Sequence, residues 1–361
     1  MRTLFYHSAP NWTGSSRAFA VAARGLAARG ETVTVVVPID SPVEQSFSRD
    51  GLDVVTMPIT NSVTRDAWRL RTLLRERFVE VVFLHGEREQ LVASTAMRLA
   101  ERGAVIRRVP SGATVTPARS ARVATRITAS RLLFSTDADR QRAAMPDAFL
   151  APLGVDVQRS DDDRAASRTM LGVEHGTQLM VCVADRRSKP RITTALRTAA
   201  LLADRHPGLR IALVGSGCDD DDTHMHASAL GVTHLIRFLG ERDDLSSVLA
   251  AADVGWVAAE GDDGAYACLD FMAAAVPVIA ERSPYISQYV PDGIAGVLLP
   301  PADPSDTAAA VASFLADENQ RAAMGRAGRT RVAREFTEAA TVDGFAAAAQ
   351  AAGDRAHWAA R

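Results

Sequence analysis

The sequence predicts an α/β protein of two Rossmann-like domains, each a parallel sheet with helices on both faces. Three observations predict it. Short apolar segments alternate with segments of helical period along most of the chain, the pattern of strand–helix–strand units. The apolar segments, such as TVTVVV (32–37) and QLMVCVA (178–184), are near-continuous in hydrophobic residues, which fits strands covered on both sides. The alternation lapses once, over residues 151–170, and then resumes. At roughly 150 residues per domain, 361 residues are enough for two cores.

The first strand is expected at TLFYH (3–7). The polar loop SAPNWTGSS follows, then a helix from Arg17 to Arg29 that stops at Gly30, a residue suited to the position after a helix. Strands read at 32–37, VEVVFLH (79–85), AVIRRV (104–109) and RLLF (131–134), with helices at 65–77, 88–102 and 117–129. APLGVDVQRSDDDRAASR has no period, carries Pro152, Gly154 and Asp161–Asp163, and reads as a linker. Beyond it, strands read at 178–184, LRIALVG (209–215), THLIRFLG (233–240), DVGWVA (253–258) and VPVIA (276–280). Helices read at 191–205, 243–252 and 265–275, and from Pro304 the chain is almost wholly helical. Two such domains place a cleft between the carboxyl ends of their strands, where ligands of this architecture bind.

Composition excludes several classes. Apolar residues make up 47% and charged residues 23%, which argues against disorder. No apolar run reaches the roughly 18 residues of a membrane span. MRTLFYHSAPNW has one positive charge and a short apolar patch, too weak for a secretory signal. Cys182, Cys218 and Cys268 form no CxxC pair and no complete disulfide set, so a reducing cytoplasm is expected. Residues 1–150 hold 21 Arg against 14 acids, about +7, within a chain whose net charge is −2. A basic N-terminal half suits an anionic acceptor or peripheral contact with the inner face of a membrane. No nucleic-acid partner is expected.

Four segments carry chemistry. ADRRSKPR (184–191) lies between an apolar strand and a helix, and two cations at a helix N-terminus suit a diphosphate. It contains Lys189, the only lysine among 41 basic residues, a compact point charge where arginine would be a planar fork. WTGSS (12–16) joins the first strand to the first helix; Gly14 allows close backbone approach, and Ser15 and Ser16 can cap. His85 ends a strand and precedes Gly86, with His7 at another strand end as its rival. GSGCDDDD (215–222) mimics a dinucleotide fingerprint, but the third glycine is missing and Asp219–Asp222 would repel a pyrophosphate, which argues against a dehydrogenase. Those acids, near His224 and His226, are read as a solvated turn and not as a metal site.

The run ADVGWVAAEGDDGAYACLDFMAAAVPVIAERSPYISQYVPDGIAGVLLPPAD resembles the signature region of GT-B glycosyltransferases, specifically the retaining family 4-like group (glycosyltransferase group 1). Two acids separated by seven residues fall at Asp262 and Asp270, followed by the turn VPDGIAG (290–296) and the strand end LLPPAD (298–303). MGRAGRTRVAREFT (324–337) resembles the family's later helix, and the likeness covers most of 150–340. It implies a metal-independent, retaining transfer of a sugar from a nucleotide-sugar, such as a UDP- or GDP-sugar, to a glycan, lipid or small-molecule hydroxyl. Polysaccharide, envelope glycan or glycolipid synthesis is the implied setting, and no cofactor is implied.

The resemblance also implies roles for residues. Arg186 and Lys189 would neutralise the leaving diphosphate, with Arg187 beside them, and His85 would face sugar or acceptor. Gly14 and Gly215 would approach the donor; Asp270 would hold the ribose and Asp262 the sugar. Residues 1–155 would form the acceptor domain and 156–337 the donor domain, with a helix at about 338–361 packing back on the first. Some positions depart from the pattern. Asp262 and Asp270 replace glutamates, Pro284 and Tyr285 stand where two glycines would bind phosphate through backbone N–H groups, and Gln288 replaces a glutamate. These departures carry the alternative of a weak or inactive homologue that acts as a binding or partner subunit.

Overall fold

The computed structural model describes residues 1–115, 130–157, 164–174, 176–185, 187, 189–242, 245–300 and 303–359. The chain divides into two compact units, Met1–Gly154 together with Glu338–Arg361, and Val155–Thr337.

The first unit holds β1 (Arg2–Tyr6), β2 (Thr32–Pro38), β3 (Asp53–Met57), β4 (Val81–Leu84), β5 (Ala104–Arg108), β6 (Ser130–Phe134) and β7 (Phe149–Leu150). They form one parallel sheet in the order β3-β2-β1-β4-β5-β6-β7. Val35, Val36 and Val37 are all buried, because helices cover both faces of β2. β3 and the helix Pro42–Arg49 escape the sequence reading. Val54 and Val55 on this edge strand are only half covered, so its hydrophobic signal is weak. The expected helix at 117–129 lies outside the described residues.

An aromatic cluster holds this core together. Phe5 stacks on Phe83 at 5.2 Å and meets Phe19 edge-on at 5.0 Å. Phe345, from the last helix, Glu338–Ala359, lies 4.9 Å from Phe83. That helix packs closely on Gly14–Ala28, where a Cβ on Gly25 would stand 2.1 Å from Val342 Cγ2. The small residue is what permits the approach.

The second unit holds β8 (Gln178–Val183), β9 (Leu209–Val214), β10 (Ile236–Gly240), β11 (Val254–Val257), β12 (Val278–Glu281) and β13 (Gly296–Leu299), parallel in the order β10-β9-β8-β11-β12-β13. The expected strand at 233–240 is shorter, because Thr233–Leu235 make a 3₁₀ turn. The expected linker 151–170 is not all irregular: Arg164–Met170 is helical. Its Arg164 and Arg168 bind the Asp253 carboxylate at 2.7 and 3.2 Å, tying the helix to the start of β11.

Both sheets place their first strand centrally. The chain adds strands on one side and then crosses to the other, so strand order reverses between β1 and β4, and between β8 and β11. The loops after those strands diverge and leave a crevice, the usual ligand position in open α/β sheets.

Candidate functional site

In the second unit, the sequence-predicted residues gather around the β8–β11 reversal. Arg187 joins the two loops: its backbone N–H donates to Asp185 Oδ1 at 2.7 Å, and its guanidinium donates to Asp263 Oδ2 at 3.2 Å. Arg186 lies outside the described residues. Lys189 is the first residue of the helix Lys189–Leu202, not a loop residue as expected. Its Nζ is 2.9 Å from Asp222 Oδ2 and 3.8 Å from Asp220 Oδ2. Lys189 is about half exposed and Asp222 more so, hence the pair is weak and easily exchanged for another anion.

The acid run is not a plain solvated turn. Asp220 caps the helix Asp221–Ala229, accepting the Thr223 N–H at 3.0 Å. Acids are favoured there because the helix N-terminus carries partial positive charge. Gly215, just after β9, has φ of 118° and donates its N–H to Gly240 O at 2.7 Å.

Asp262 was expected before its helix. It lies inside the first turn of Gly261–Ala273 and is 4% exposed, while Asp270 is only half buried further along the same helix. Tyr285 reaches this helix from the next loop. Its φ of −79° is right-handed, so the backbone here does not reproduce a glycine turn. Its hydroxyl oxygen instead accepts the Gly261 N–H at 3.1 Å, satisfying one of the donors a helix start leaves open. Burial pushes the hydroxyl up to about 12, so it keeps its proton and can donate a hydrogen bond to a further acceptor. Tyr285→Phe leaves that N–H without a partner and is expected to cost about 1–2 kcal/mol, read as a lower urea midpoint with unchanged slope.

Sequence reasoning missed Arg191. Its guanidinium donates to Glu281 Oε2 at 2.8 Å and also to Glu260. It therefore clamps the ends of β11 and β12 to the helix that follows β8. Burial acts to lower the guanidinium, but the bonds to Glu260 and Glu281 outweigh it and hold Arg191 above its ordinary value. The signal was a fourth cation in RRSKPR and acids at two neighbouring strand ends, which only the strand order brings together.

In the first unit the β1–β4 reversal gathers His7, Gly14 and His85. Gly14 opens the helix Gly14–Ala28 rather than lying in the loop before it; Thr13 and Ser16 form its capping box. Ser16 Oγ is 3.0 Å from His7 Nε2. His85 lies flat on Phe19 at 3.7 Å and stands 5.7 Å from His7. Buried Glu89 accepts the N–H groups of Ser8, His85 and Gly86 at 2.7, 2.9 and 2.6 Å, locking the β1 and β4 ends together.

His7 is 2% exposed, and burial holds its ring below the ordinary 6.5 despite the opposing Glu89 charge. The unfolded chain therefore takes up a proton that the folded one resists. Stability is expected to fall as pH drops below 6.5, until the folded ring also titrates. His7→Gln should flatten that part of a melting-temperature profile; a profile parallel to the unmodified protein's would contradict the assignment.

Comparison with known proteins fits this geometry. Residues 163–331 match the family described as glycosyl transferases group 1. A D-inositol 3-phosphate glycosyltransferase of Saccharomonospora viridis is 32% identical over 234 residues, covering 60% of this chain and 54% of that protein. The chain spans about half the length of the curated relatives it matches. Among solved structures, HepE of Anabaena in complex with UDP and glucose superposes with a TM-score of 0.79 at 18% identity, covering 96% of this chain and 99% of that one. A glycosyltransferase from Rickettsia africae superposes with a TM-score of 0.83 at 11% identity, covering 97% and 98%. At these identities the structural likeness speaks for the fold. This chain has the two-domain GT-B fold of those solved structures, and residues 163–331 of its second unit match the model of the glycosyl transferases group 1 family.

Proposed function

We propose that this protein transfers a sugar from a nucleoside diphosphate sugar to a hydroxyl acceptor, without a metal ion and with retention at the anomeric carbon. The observation that carries the reading is the set of cations at the β8–β11 reversal: Arg187 and Lys189, each held by an exchangeable carboxylate, with Arg191 behind them as a fixed clamp. Arg187 and Lys189 would leave Asp263 and Asp222 for the donor diphosphate, and Arg186, the residue before Arg187 in the sequence, would add a further charge. Asp270 would accept ribose hydroxyls and Asp262 a sugar hydroxyl. Tyr285 would offer its hydroxyl proton to a phosphate oxygen, in place of the backbone donors a glycine turn supplies.

In the chemical step the bond from the anomeric carbon to the phosphate oxygen breaks, and the acceptor oxygen bonds to that carbon on the same face. The acceptor proton goes to the departing phosphate, so no protein nucleophile is required. The cations act where negative charge grows, which is where preorganised charge lowers a barrier. His85 and Gly14, at the start of its helix, would serve the acceptor or sugar. HepE of Anabaena crystallised in complex with UDP and glucose, which supports a UDP-sugar as the first donor to test.

The test is nucleotide release from a panel of UDP- and GDP-sugars in the presence of EDTA, with the product anomer assigned by NMR. Release that survives chelation, with the donor anomer kept, supports the reading. Inverted product overturns retention, and loss on chelation overturns metal independence. A second reading, a binding subunit without turnover, rests on Tyr285, which covers a helix-start donor that a phosphate would otherwise use. Donor binding without any release would favour it.

A further inference from the structure

The loops that follow β1 and β2 lie side by side at the carboxyl end of the first sheet. Val43 donates its N–H to Pro10 O at 3.2 Å, which ties them together, and Ser41 Oγ donates to Pro38 O at 2.7 Å, which closes the turn after β2. Trp12, from the first loop, is 40% exposed and rests at 5.3 Å on buried Phe47 of the helix Pro42–Arg49. Phe47 in turn meets His7 edge-on at 6.2 Å, so a line of rings runs from the β1–β4 reversal out to solvent. On the second loop Ile39 is 49% exposed, and Asp40 beside it holds a left-handed φ of 52°. Backbone positions of that kind cluster at ligand sites. Asn11 and Asp40 are exposed, and among the described residues neither side chain, nor the Trp12 indole N–H, has a hydrogen-bond partner. Charge here runs against the rest of the unit. Residues 8–16 and 38–48 hold Asp40 and Glu44 and no lysine or arginine, although residues 1–150 as a whole are basic. The flanking Arg17 and Arg49 each have a partner already.

We propose that Trp12, with Asn11 and Asp40, forms an acceptor subsite for a neutral saccharide. One face of a pyranose is a patch of C–H groups that stacks on an aromatic ring, whose face carries partial negative charge. Its hydroxyls donate to carboxylate and amide oxygens. An exposed indole beside an unpaired carboxylate and an unpaired amide supplies both features. A phosphorylated or carboxylated acceptor would meet Asp40 and Glu44 with no cation in either loop to offset them. A lipid chain would cover Trp12 and Ile39 but press against Asp40, a charge that is costly to desolvate. The assignment as an acceptor subsite rests on the sugar-transfer reading; the binding of a sugar ring at Trp12 does not.

The test is saturation-transfer NMR of the full chain with the methyl glycosides of glucose, galactose and mannose and with their 6-phosphates, followed by titration of those that bind. At least one neutral glycoside is expected to bind at millimolar concentration, and its 6-phosphate about ten-fold more weakly. Trp12→Ala and Asp40→Asn should each weaken the neutral glycoside about ten-fold, and Trp12→Phe, which keeps a ring, should retain most of the binding. Asp40 is exposed and asparagine also accepts a left-handed φ, so Asp40→Asn should melt with the unmodified protein even where Trp12→Ala does not. UDP titrated into the same samples reads the donor site separately. Sugar binding that obeys the variants, without UDP binding, would remove the transfer reading and keep the saccharide site. No neutral glycoside bound, a 6-phosphate bound more tightly than its parent, or binding untouched by both Trp12→Ala and Asp40→Asn would overturn the proposal.

Discussion

Lys189→Ala is expected to slow sugar transfer by on the order of 10²–10³ in kcat, with an unchanged melting temperature. The ammonium would meet the leaving diphosphate as its charge grows, so the loss falls on the transition state more than on ground-state binding. The folded protein loses little. The contact with Asp222 at 2.9 Å is an exposed pair, worth about 0–1 kcal/mol, and alanine is at ease in a first helical turn. Lys189→Arg should also be slow, because a planar fork on a longer reach does not replace a compact ammonium. Asp222→Asn is the informative control. It removes the nearer of the two carboxylates beside Lys189 without removing the lysine, so it should leave the rate intact and tighten nucleotide binding a few-fold. An unchanged rate in Lys189→Ala would take away the proposed role of this residue.

The largest structural effect is expected from Gly215→Ala. A Cβ there would lie 1.9 Å from Ala184 O, a backbone atom with no rotamer to change, at a φ of 118° that side chains rarely adopt. Strain and clash together should cost about 3–5 kcal/mol. Relief would have to move Ala184, and with it the loop that carries Asp185 and Arg187 and leads to Lys189 at the next helix start. Nucleotide binding should therefore weaken even in the fraction that folds. Gly231→Ala separates the two causes, since its φ of 71° is also positive but its Cβ would meet nothing within 4 Å. It should cost about 1 kcal/mol and leave binding alone. Urea denaturation with nucleotide titration reads both.

The fold was legible because a strand buried on both faces is written as an unbroken apolar run. LMVCV in β8 and VVFL in β4 have no competing reading. β3 escaped because its edge position lets Asp53 and Thr56 face water. Helix starts were misplaced because first-turn residues do not follow the interior pattern. Gly14, Lys189 and Asp262 look like loop residues by propensity, but first turns accept small residues, acids and proline (Pro190 follows Lys189), so each helix begins earlier than its periodicity. Of the site, the residues after β8 were visible as a run of cations. The clamp of Arg191 on Glu260 and Glu281 was not, because its partners are 69 and 90 residues away and meet only through strand order. Tyr285 was noticed as a departure from a glycine turn. Its hydroxyl at the Gly261 N–H was out of reach of the sequence, since a side chain that caps another helix leaves no local spacing.

The central claim is that the β8–β11 reversal of the second unit binds a nucleoside diphosphate. Isothermal titration of the full chain with UDP and with GDP tests it most directly, alongside the Lys189→Ala and Asp270→Ala variants. The account predicts saturable binding of at least one of the two, weakened in both variants whose folds are intact. No heat of binding at millimolar nucleotide, or binding that neither variant disturbs, would contradict it.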